Sequence, residues 1–218
     1  MQLIIGDRAY STWSLRPWLV LKRCGAEFEE VVVPLNRADT AVGIARHSPS
    51  GRVPALHVEG VTIWDSLAIA VWCGERWPRA GLWPENPHAR WLARSVTCEM
   101  HSGFPALRTV LAMGPDHPMV SDERAPTPTD PAALADIRRI VEIWCEMRGR
   151  FGAGGPYLFG DWSIADAFFT PVAARFRHFQ VDLAAHGDDR VAQAYAEALL
   201  AQPDFLAWSD AARADAAH

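Results

Sequence analysis

A hydroxyl-rich turn near the start of the chain is the first segment that could do chemistry. Ser11 and Ser14 stand three residues apart, and Pro17 follows where a first helical turn loses no N–H bond. We expect Ser14 to cap the helix, because a serine side chain accepts a hydrogen bond from the free N–H groups of the first turn. The remaining N–H groups and the helix dipole would stabilise an anion beside Ser11. Two serines that only cap the helix explain the same residues equally well.

A proline directly before a strand-like run marks the second candidate, at residues 50–56. If the bond between Val53 and Pro54 is cis, the N–H and C=O of Val53 face outward and can pair with an extended, peptide-like ligand. A trans proline at the start of a strand is the more common arrangement, since only about 5–6% of X-Pro bonds in folded proteins are cis. The residues alone leave both isomers open.

An acidic residue and a serine open a later predicted helix and form the third candidate. Asp65 could hold an ammonium group, and Ser66 with the nearby N–H groups could hold a carboxylate. Together they would recognise the head group of an amino acid, although a helix that is simply capped accounts for the same pair. A Ser-x-x-Asp pattern at Ser163 and Asp166 is a capping box, and we interpret it as structural.

Other catalytic motifs are missing from the sequence. It has no phosphate-binding G-x-x-x-x-G-K-[ST] loop, no H-E-x-x-H zinc motif and no G-x-S-x-G nucleophile elbow. Cys98 and His101 share a helix face but lack a second pair of ligands, so we predict no metal site. The four cysteines lie far apart, which predicts neither disulfides nor zinc binding, and we expect them to be small buried residues.

The elements that must position these residues alternate between strand and helix in the first part of the chain. Apolar runs predict strands at residues 3–5, 29–33, 55–58 and 61–64. Periodic patterns predict helices at residues 14–23, 38–46 and 66–77. A tight turn at Glu59-Gly60 makes the last two strands antiparallel neighbours. This order is that of an α/β thioredoxin-like domain, which we assign to residues 1–80.

The chain after a proline-rich linker at residues 78–87 is helical in pattern. Apolar residues between Ile137 and Cys145 recur at helical spacing and form one face. We predict a long helix at residues 88–113 and an exposed loop or lid at residues 114–131, which contain five prolines. An all-α helical bundle domain would extend over residues 88–218, although the residues from Asp210 onward are not expected to pack strongly.

Composition and charge exclude several classes of protein. The 218 residues are 50% hydrophobic and 22% charged, with a net charge of -5, as in a globular protein. Lysine and arginine are scattered, so neither nucleic acid nor a membrane is an expected partner. No stretch approaches the roughly 20 apolar residues that span a bilayer. No basic leader precedes residues 3–5, and we therefore expect a cytoplasmic protein.

Four segments, the three candidates and the capping box, in this order and around a helical second half, resemble the cytosolic glutathione transferase superfamily over nearly the whole chain. Ser11-x-x-Ser14-x-Arg16 resembles its serine-type active-site turn, and residues 52–56 resemble its cis-proline segment. Residues 160–166 resemble the capping box of its second domain. The pair Asp65-Ser66 is similar to the family's Glu/Gln-Ser pair. The combination is far more specific than any one of these segments.

Within that superfamily the chain most resembles the zeta, or maleylacetoacetate isomerase-like, class. Residues 164–166, Pro171 and residues 179–183 are similar to that class in order and spacing. Zeta enzymes usually carry a cysteine where this chain has Trp13. They also carry an arginine for the second substrate's carboxylate where this chain has His178. Both departures make glutathione transfer a more expected activity than isomerisation of maleylacetoacetate.

The resemblance also implies roles for individual residues. Ser11, with Ser14 as the alternative, would activate the thiol of glutathione, the implied co-substrate. Residues of the three segments and one histidine would bind glutathione: His47, Arg52, Val53, Pro54, Asp65 and Ser66. An electrophile between the domains would contact five side chains: Trp13, His101, Phe104, Arg108 and His178.

The resemblance thus implies an enzyme, a cytoplasmic glutathione transferase that forms a homodimer and acts in detoxification by joining glutathione to a small electrophile. A glutathione-dependent cis-trans isomerase and a non-catalytic binding or regulatory protein of the same fold are the alternatives. Disulfide or dehydroascorbate reduction ranks last, because it needs a cysteine in the active-site turn, where this chain has Ser11 and Ser14.

Overall fold

The computed structural model describes residues 1–216 and begins with a small mixed sheet. The strands are Gln2–Ile5 (β1), Glu29–Val32 (β2), Ala55–Val58 (β3) and Val61–Ile63 (β4), in the spatial order β2-β1-β3-β4. β1 and β2 are parallel, since a helix crosses between them, whereas β3 is antiparallel to both β1 and β4. This sheet confirms the predicted thioredoxin-like fold class.

Three helices cover the two faces of the sheet: Thr12–Arg23 (α1), Thr40–Ala45 (α2) and Ser66–Arg76 (α3). Successive side chains of a strand point to opposite faces, so the apolar run in β1 serves both sides. Leu3 and Ile5 join the core that contains α1 and α3. Ile4 packs with Ile44 of α2 in a separate small cluster. α1 therefore lies between the sheet and the helices that follow.

Helices form the remainder of the described chain. They are Pro87–Ser102 (α4), Pro105–Val110 (α5), Pro131–Phe151 (α6), Ile164–His178 (α7), Val191–Ala201 (α8) and Pro203–Ala216 (α9). Four of them begin with proline, whose missing N–H has no partner to lose in a first turn. α7 is the central helix, because it packs against α1, α4 and α8 and buries nearly every side chain.

Of the two predictions about the segment between α4 and α6, the single helix is wrong, whereas the loop is confirmed in part, because residues 114–130 form no helix or extended strand and many of them are exposed. The single helix predicted at residues 88–113 is broken, because α4 ends before Gly103 and Pro105 begins α5. Phe104, between them, has a φ of 61°, in the left-handed region. The loop after α5 is not simply exposed: Met119 is fully buried, and its N–H donates to the carbonyl of Ala9 at 2.7 Å. This segment is therefore attached to the loop that precedes α1.

The predictions for the end of the chain and for the cysteines hold in part. Within residues 210–216 only Ala212 is buried, as expected for a segment that does not pack strongly, whereas Trp208 just before it is buried in α9; residues 217 and 218 lie outside the described residues. Cys73 is buried as predicted, but Cys98 is exposed. Cys98 faces solvent because it lies on the outer side of α4, whose inner side carries buried Val96 and Met100.

One continuous hydrophobic core joins the sheet region to the helical region, from Leu3 of β1 through Leu19 of α1 to Phe168 of α7. The division into domains at residues 1–80 and 88–218 therefore stays a prediction. In the part of the chain that the structure describes, no helix combines the length and the apolar character needed to cross a membrane.

Candidate active site

A cavity of about 420 Å³ lies at the N-terminus of α1 and brings together five of the predicted site residues. These are Ser11, Trp13, Arg52, Val53 and Arg108. Arg175 of α7 completes its charged wall, and no aspartate or glutamate lines the cavity. A larger cavity of about 530 Å³, beside the linker, contains none of the predicted residues. The smaller cavity is therefore the candidate site, with three arginines and no carboxylate around it.

Ser11, and not Ser14, stands at the cap position of α1. The helix begins at Thr12, and the Ser11 side chain makes no capping hydrogen bond among the described residues. Its hydroxyl lies 2.8 Å from Oγ of Ser14, which also accepts from the N–H of Gly6 at 3.0 Å. Ser14 is fully buried and joins the end of β1 to α1, so its predicted capping role is wrong. Ser11 is the hydroxyl that reaches the cavity.

The bond between Val53 and Pro54 is cis, which decides the isomer that the sequence left open. Val53 lines the same cavity as Ser11, and its backbone groups take no part in the turn and loop hydrogen bonds found within residues 1–216. Pro54 itself is buried behind Val53. Arg52 is exposed at the rim of the cavity, and no ion pair within the described residues involves it. This segment can therefore offer both a peptide edge and a cation.

Asp65 and Ser66 begin α3 but do not line this cavity. Oδ1 of Asp65 accepts from the N–H groups of Leu67 and Ala68, so the side chain is a true helix cap. Its Oδ2 lies 3.0 Å from Nε2 of His101 on α4. The Ser66 side chain is buried, and its Oγ has no hydrogen-bond partner among residues 1–216. The half-exposed Asp65 carboxylate is the part of the pair that a ligand can reach.

His101 lies between Asp65 and the active-site turn. Its ring meets the ring of Trp13 edge to face, with centroids 5.4 Å apart. Burial lowers the pKa of His101, and the nearby Asp65 carboxylate only partly offsets that shift. His101 is therefore predominantly neutral at pH 7 and adds no positive charge next to the cavity. Its position connects the predicted glutathione-binding residue Asp65 with Trp13.

Three of the residues predicted from the sequence lie elsewhere. His47 packs against His57, and its carbonyl is 2.6 Å from Nε2 of that ring. Phe104 is buried in the core between α4 and α5. His178 is also buried, and its Nε2 lies 3.1 Å from Nδ1 of His117. The structure does not bring these three side chains to the cavity, because each is committed to packing in its own neighbourhood.

Arg175 stands where the sequence suggested His178. The two residues are three positions apart on α7, so a small rotation around the helix decides which one faces α1 and α5. Nε of Arg175 donates to the carbonyl of Leu111 at 2.8 Å, whereas its Nη1 is buried without a partner in the described chain. Burial and, to a smaller extent, the neighbouring cation of Arg108 lower the pKa of Arg175 to about 9. The site thus keeps an incompletely satisfied cation.

Arg108 lies beside Arg175 and contacts both the end of α4 and the Trp13 ring. Its guanidinium donates to the carbonyls of Met100 and Gly103 at the end of α4. It also stacks on Trp13, with Cζ 4.6 Å from the ring centroid. Arg108 therefore closes α4, holds the Trp13 ring and contributes positive charge to the cavity.

Arg16 is a second cation beside Trp13, after Arg108, and belongs to the same active-site turn. Its Cζ lies 4.0 Å from the Trp13 ring centroid and 5.2 Å from that of Phe168. The side chain is fully buried, and within residues 1–216 none of its three nitrogens has a hydrogen-bond partner. In the sequence Arg175, like Arg177, lies close to position 178, but only the packing of α7 on α1 decides that Arg175 faces the site and lies near Arg16.

The second Ser-x-x-Asp pattern is confirmed as a capping box. Asp166 is fully buried at the start of α7, where its carboxylate accepts from the N–H and hydroxyl of Ser163. It also accepts from the N–H of Leu158 and from the hydroxyl of Tyr195. Burial raises the pKa of Asp166, and these four donors oppose that shift. Every lone-pair direction of this carboxylate is used inside the protein, which fits a folding role.

Comparison with protein families finds one match in the first part of the chain. Residues 10–76 match the family model described as the glutathione S-transferase N-terminal domain. That range contains Ser11, Val53 and Asp65. It ends at the last residue of α3, so it covers most of the sheet and its three helices.

Comparison with curated proteins extends the similarity into the helical part. The maleylacetoacetate isomerase of Rattus norvegicus is 28% identical over 185 residues, which cover 81% of this chain and 78% of the rat protein. Glutathione S-transferase Z2 of Arabidopsis thaliana is 24% identical over 183 residues, with 81% and 79% of the two chains covered.

Solved structures share the fold over nearly the full length. A sphingomonad glutathione S-transferase in complex with glutathione is 26% identical, covers 97% of this chain and 98% of its own, and gives a TM-score of 0.69. A bacterial maleyl pyruvate isomerase of the zeta class gives a TM-score of 0.72 at 21% identity, again over 97% of this chain and 98% of its own.

Proposed function

We propose that the chain is a glutathione transferase, as its similarity to that family supports, and that it binds glutathione at the N-terminus of α1 and activates its thiol for attack on a small electrophile. The observation that carries this proposal is the position of Ser11. Its hydroxyl stands at the cap position of α1, is not used as a cap, and opens into a cavity lined by arginines. A thiolate placed there meets the positive end of the helix.

Glutathione would lie along the cis-proline segment with its thiol toward Ser11. The backbone of Val53 would pair with the cysteinyl unit in the manner of a β-strand. Arg52, exposed at the rim, would hold the glycyl carboxylate. His47 is a weaker choice for that carboxylate, because its ring packs on His57.

The γ-glutamyl end of glutathione would reach the start of α3. The exposed part of the Asp65 carboxylate would hold the ammonium group, and the N–H of Ser66, the first-turn donor that Asp65 does not cap, would hold the carboxylate. Since the Ser66 hydroxyl is buried, it would contact that carboxylate only after a small rearrangement. The unpaired state of that hydroxyl is consistent with such a bond.

Activation of the thiol would follow from two contacts. A free thiol titrates near pH 8.5, so only a few per cent is thiolate at pH 7. The Ser11 O–H would rotate from Ser14 to donate to the sulfur, and the N–H of Trp13, which makes no backbone hydrogen bond within residues 1–216, would face the same atom. The thiolate would then form a C–S bond with the electrophile, and the leaving group would depart with the electron pair of the broken bond.

The arginines of the cavity favour an electrophile that carries a carboxylate. Arg108 and Arg175 both line the cavity, and one nitrogen of Arg175 lacks a partner within residues 1–216. Because Nη1 of Arg175 is covered, a carboxylate would pair with it only after a small rearrangement, and would then satisfy a buried cation that is costly to leave unpaired. Arg175 would thus supply the cation that the zeta class carries where this chain has His178.

That same observation supports glutathione-dependent cis-trans isomerisation as the second candidate. Thiolate addition to a conjugated double bond forms a C–S bond and an enolate, rotation follows, and loss of the thiolate restores the double bond. Glutathione is regenerated, so atoms and electrons balance. Several relatives are named maleylacetoacetate isomerases, and Arg175 would hold the carboxylate of such a substrate. Trp13, in place of the usual cysteine, argues for transfer to other electrophiles.

We also propose a homodimer. β4, α3 and α4 follow one another and present exposed apolar side chains, among them Trp64, Val71 and Trp91. Exposed aromatic and aliphatic residues of this size are typical of interfaces. Light scattering on the protein and on Trp91→Glu should give the mass of a dimer and of a monomer, respectively; a monomeric unaltered protein would contradict the proposal.

Calorimetric titration with glutathione, combined with thiolate absorbance of the bound ligand, tests the enzyme assignment. The unaltered protein should bind glutathione and show the thiolate signal, and Ser11→Ala should bind glutathione but lose most of that signal. Incubation with maleylacetoacetate and with simple alkyl or aryl electrophiles then separates isomerase from transferase. Failure of the unaltered protein to bind glutathione would favour a non-catalytic binding protein instead.

A further inference from the structure

Arg16 is a buried cation that the proposed mechanism does not use. Its side chain has no exposed surface, and its Nε and both terminal nitrogens lack hydrogen-bond partners among residues 1–216. A buried charge without hydrogen bonds is costly, since burial removes its hydration. Burial accordingly lowers the pKa of Arg16, and the nearby cations of Arg108 and Arg175 lower it further. Even so, a guanidinium keeps its proton under ordinary conditions.

The direction of the Arg16 side chain follows from its place on α1. Side chains of a helix lean toward its N-terminus and meet the residue three positions earlier. For Arg16 that residue is Trp13, whose ring centroid is 4.0 Å from Cζ. Ser11 stands two residues before Trp13, at the cap of the same helix. The guanidinium charge is therefore displaced toward the helix end where Ser11 opens into the cavity.

No ligand in the cavity can touch the Arg16 guanidinium directly, because its nitrogens are covered. Arg16 is also absent from the cavity wall, where Trp13 stands in front of it. Its close side-chain contacts are the rings of Trp13 and Phe168, and the Asp65 carboxylate attracts its charge without an ion pair or hydrogen bond among residues 1–216. Methionine would fill such an apolar slot without the cost of a buried charge. Stacking alone therefore does not explain why a cation stands here.

We propose that Arg16 is a positioning residue whose fixed positive charge, held behind Trp13, stabilises the thiolate of glutathione at Ser11. This inference rests on the proposed function and deepens it. The charge lies in a dry environment, where electrostatic interactions are less screened than in water. It adds to the dipole of α1 and does not have to reorganise when the thiol ionises. Trp13 keeps water and ligand away from it.

The test is a pH titration of thiolate absorbance for glutathione bound to variants at position 16. Arg16→Met and Arg16→Gln remove the charge, and Arg16→Lys keeps it. Arg23→Met is the matched control, because Arg23 is on the same helix and stacks on Trp162 at 5.6 Å, but at the opposite end. Affinity for S-methylglutathione, whose sulfur cannot ionise, measures binding separately from thiolate formation.

The neutral variants should raise the pKa of the bound thiol by about one unit, which is about tenfold less thiolate at low pH. Arg16→Lys should stay close to the unaltered protein, and Arg23→Met should equal it. Affinity for S-methylglutathione should stay within about twofold in all four variants, and Arg16→Met should unfold at an equal or higher temperature.

An unchanged thiol pKa in Arg16→Met and Arg16→Gln would overturn this inference and leave the proposed function intact. So would unfolding of both neutral variants while Arg16→Lys folds, because the charge would then serve the fold. Absence of glutathione binding by the unaltered protein would overturn the proposed function itself, and this inference with it.

Discussion

The N-termini of α1 and α7 have similar sequences, but their polar side chains differ in hydrogen bonding and in access to a cavity. Ser11-x-x-Ser14 and Ser163-x-x-Asp166 both place a hydroxyl at the cap of a helix. At α7 the carboxylate of Asp166 accepts four hydrogen bonds and is closed to solvent. At α1 the cap hydroxyl of Ser11 makes no capping bond within the described residues and faces a cavity.

The difference between the two helix ends separates a folding site from a binding site. A buried polar group that is fully paired within the chain stabilises the fold and has nothing left for a ligand. Around Ser11 the donors and cations exceed the acceptors, since Arg16 and Arg175 keep buried nitrogens unpaired within residues 1–216. Hydrogen-bond satisfaction, more than the motif, distinguishes the two ends.

The largest expected effect is a loss of stability from a substitution at the N-terminus of α7. Asp166→Ala leaves four buried donors without an acceptor, so the free energy of unfolding should fall by about 3–5 kcal/mol. Urea unfolding followed by fluorescence measures it, with Ser163→Ala as a milder control that costs about 1 kcal/mol. Glutathione affinity of the folded fraction should not change. A loss of affinity without loss of stability would break the comparison.

At the α1 end, removal of Arg175 should affect binding more than folding. Arg175→Met removes a cation that would pair with a carboxylate, so inhibition by a dicarboxylate such as fumarate should weaken about 10- to 100-fold. Arg177→Met is the matched control, because that side chain donates to the carbonyl of Met119 and lies outside the cavity. Equal inhibition of both variants would show that Arg175 does not hold the anion.

A carboxylate placed at the N-terminus of α1, as at the N-terminus of α7, should have two smaller effects: it should raise stability and suppress thiolate formation. Ser11→Asp supplies a carboxylate that can cap α1 and should stabilise the fold by about 0.5–1 kcal/mol. The same negative charge should repel the glutathione thiolate and suppress its absorbance by about tenfold or more. A variant that is stabilised and still forms the thiolate would contradict the placement of the sulfur at Ser11.

The smallest expected effect concerns acid stability at the other end of α7. Burial and the neighbouring His117 lower the pKa of His178, so the unfolded chain binds more protons than the folded one between the two pKa values. The free energy of unfolding should therefore decrease as the pH falls below about 6.5. His178→Gln should flatten that dependence in unfolding curves measured from pH 7 to 5. An unchanged slope would exclude His178 as a source of it.

Local signals predicted much of the fold. The apolar run at residues 3–5, the turn at Glu59-Gly60 and the capping box at Ser163 each depend on neighbours in sequence, and each is found as predicted. The break between α4 and α5 was missed, although Gly103 and Pro105 are its local cause. The helical pattern was read as continuous across these two residues, so one helix was predicted where the structure has two.

The site was predicted in part. Features set by neighbouring residues in the sequence were predicted, and features set by helix packing were not. The sequence by itself located the hydroxyl turn, the segment around Pro54 and the acidic start of α3, because caps and turns are set by residues a few positions apart. Only the tertiary structure decided that the bond before Pro54 is cis, that Arg175 and not His178 faces the cavity, and that Arg16 is buried behind Trp13. The positions of the two arginines depend on how α7 packs against α1, which joins residues more than a hundred positions apart in the chain.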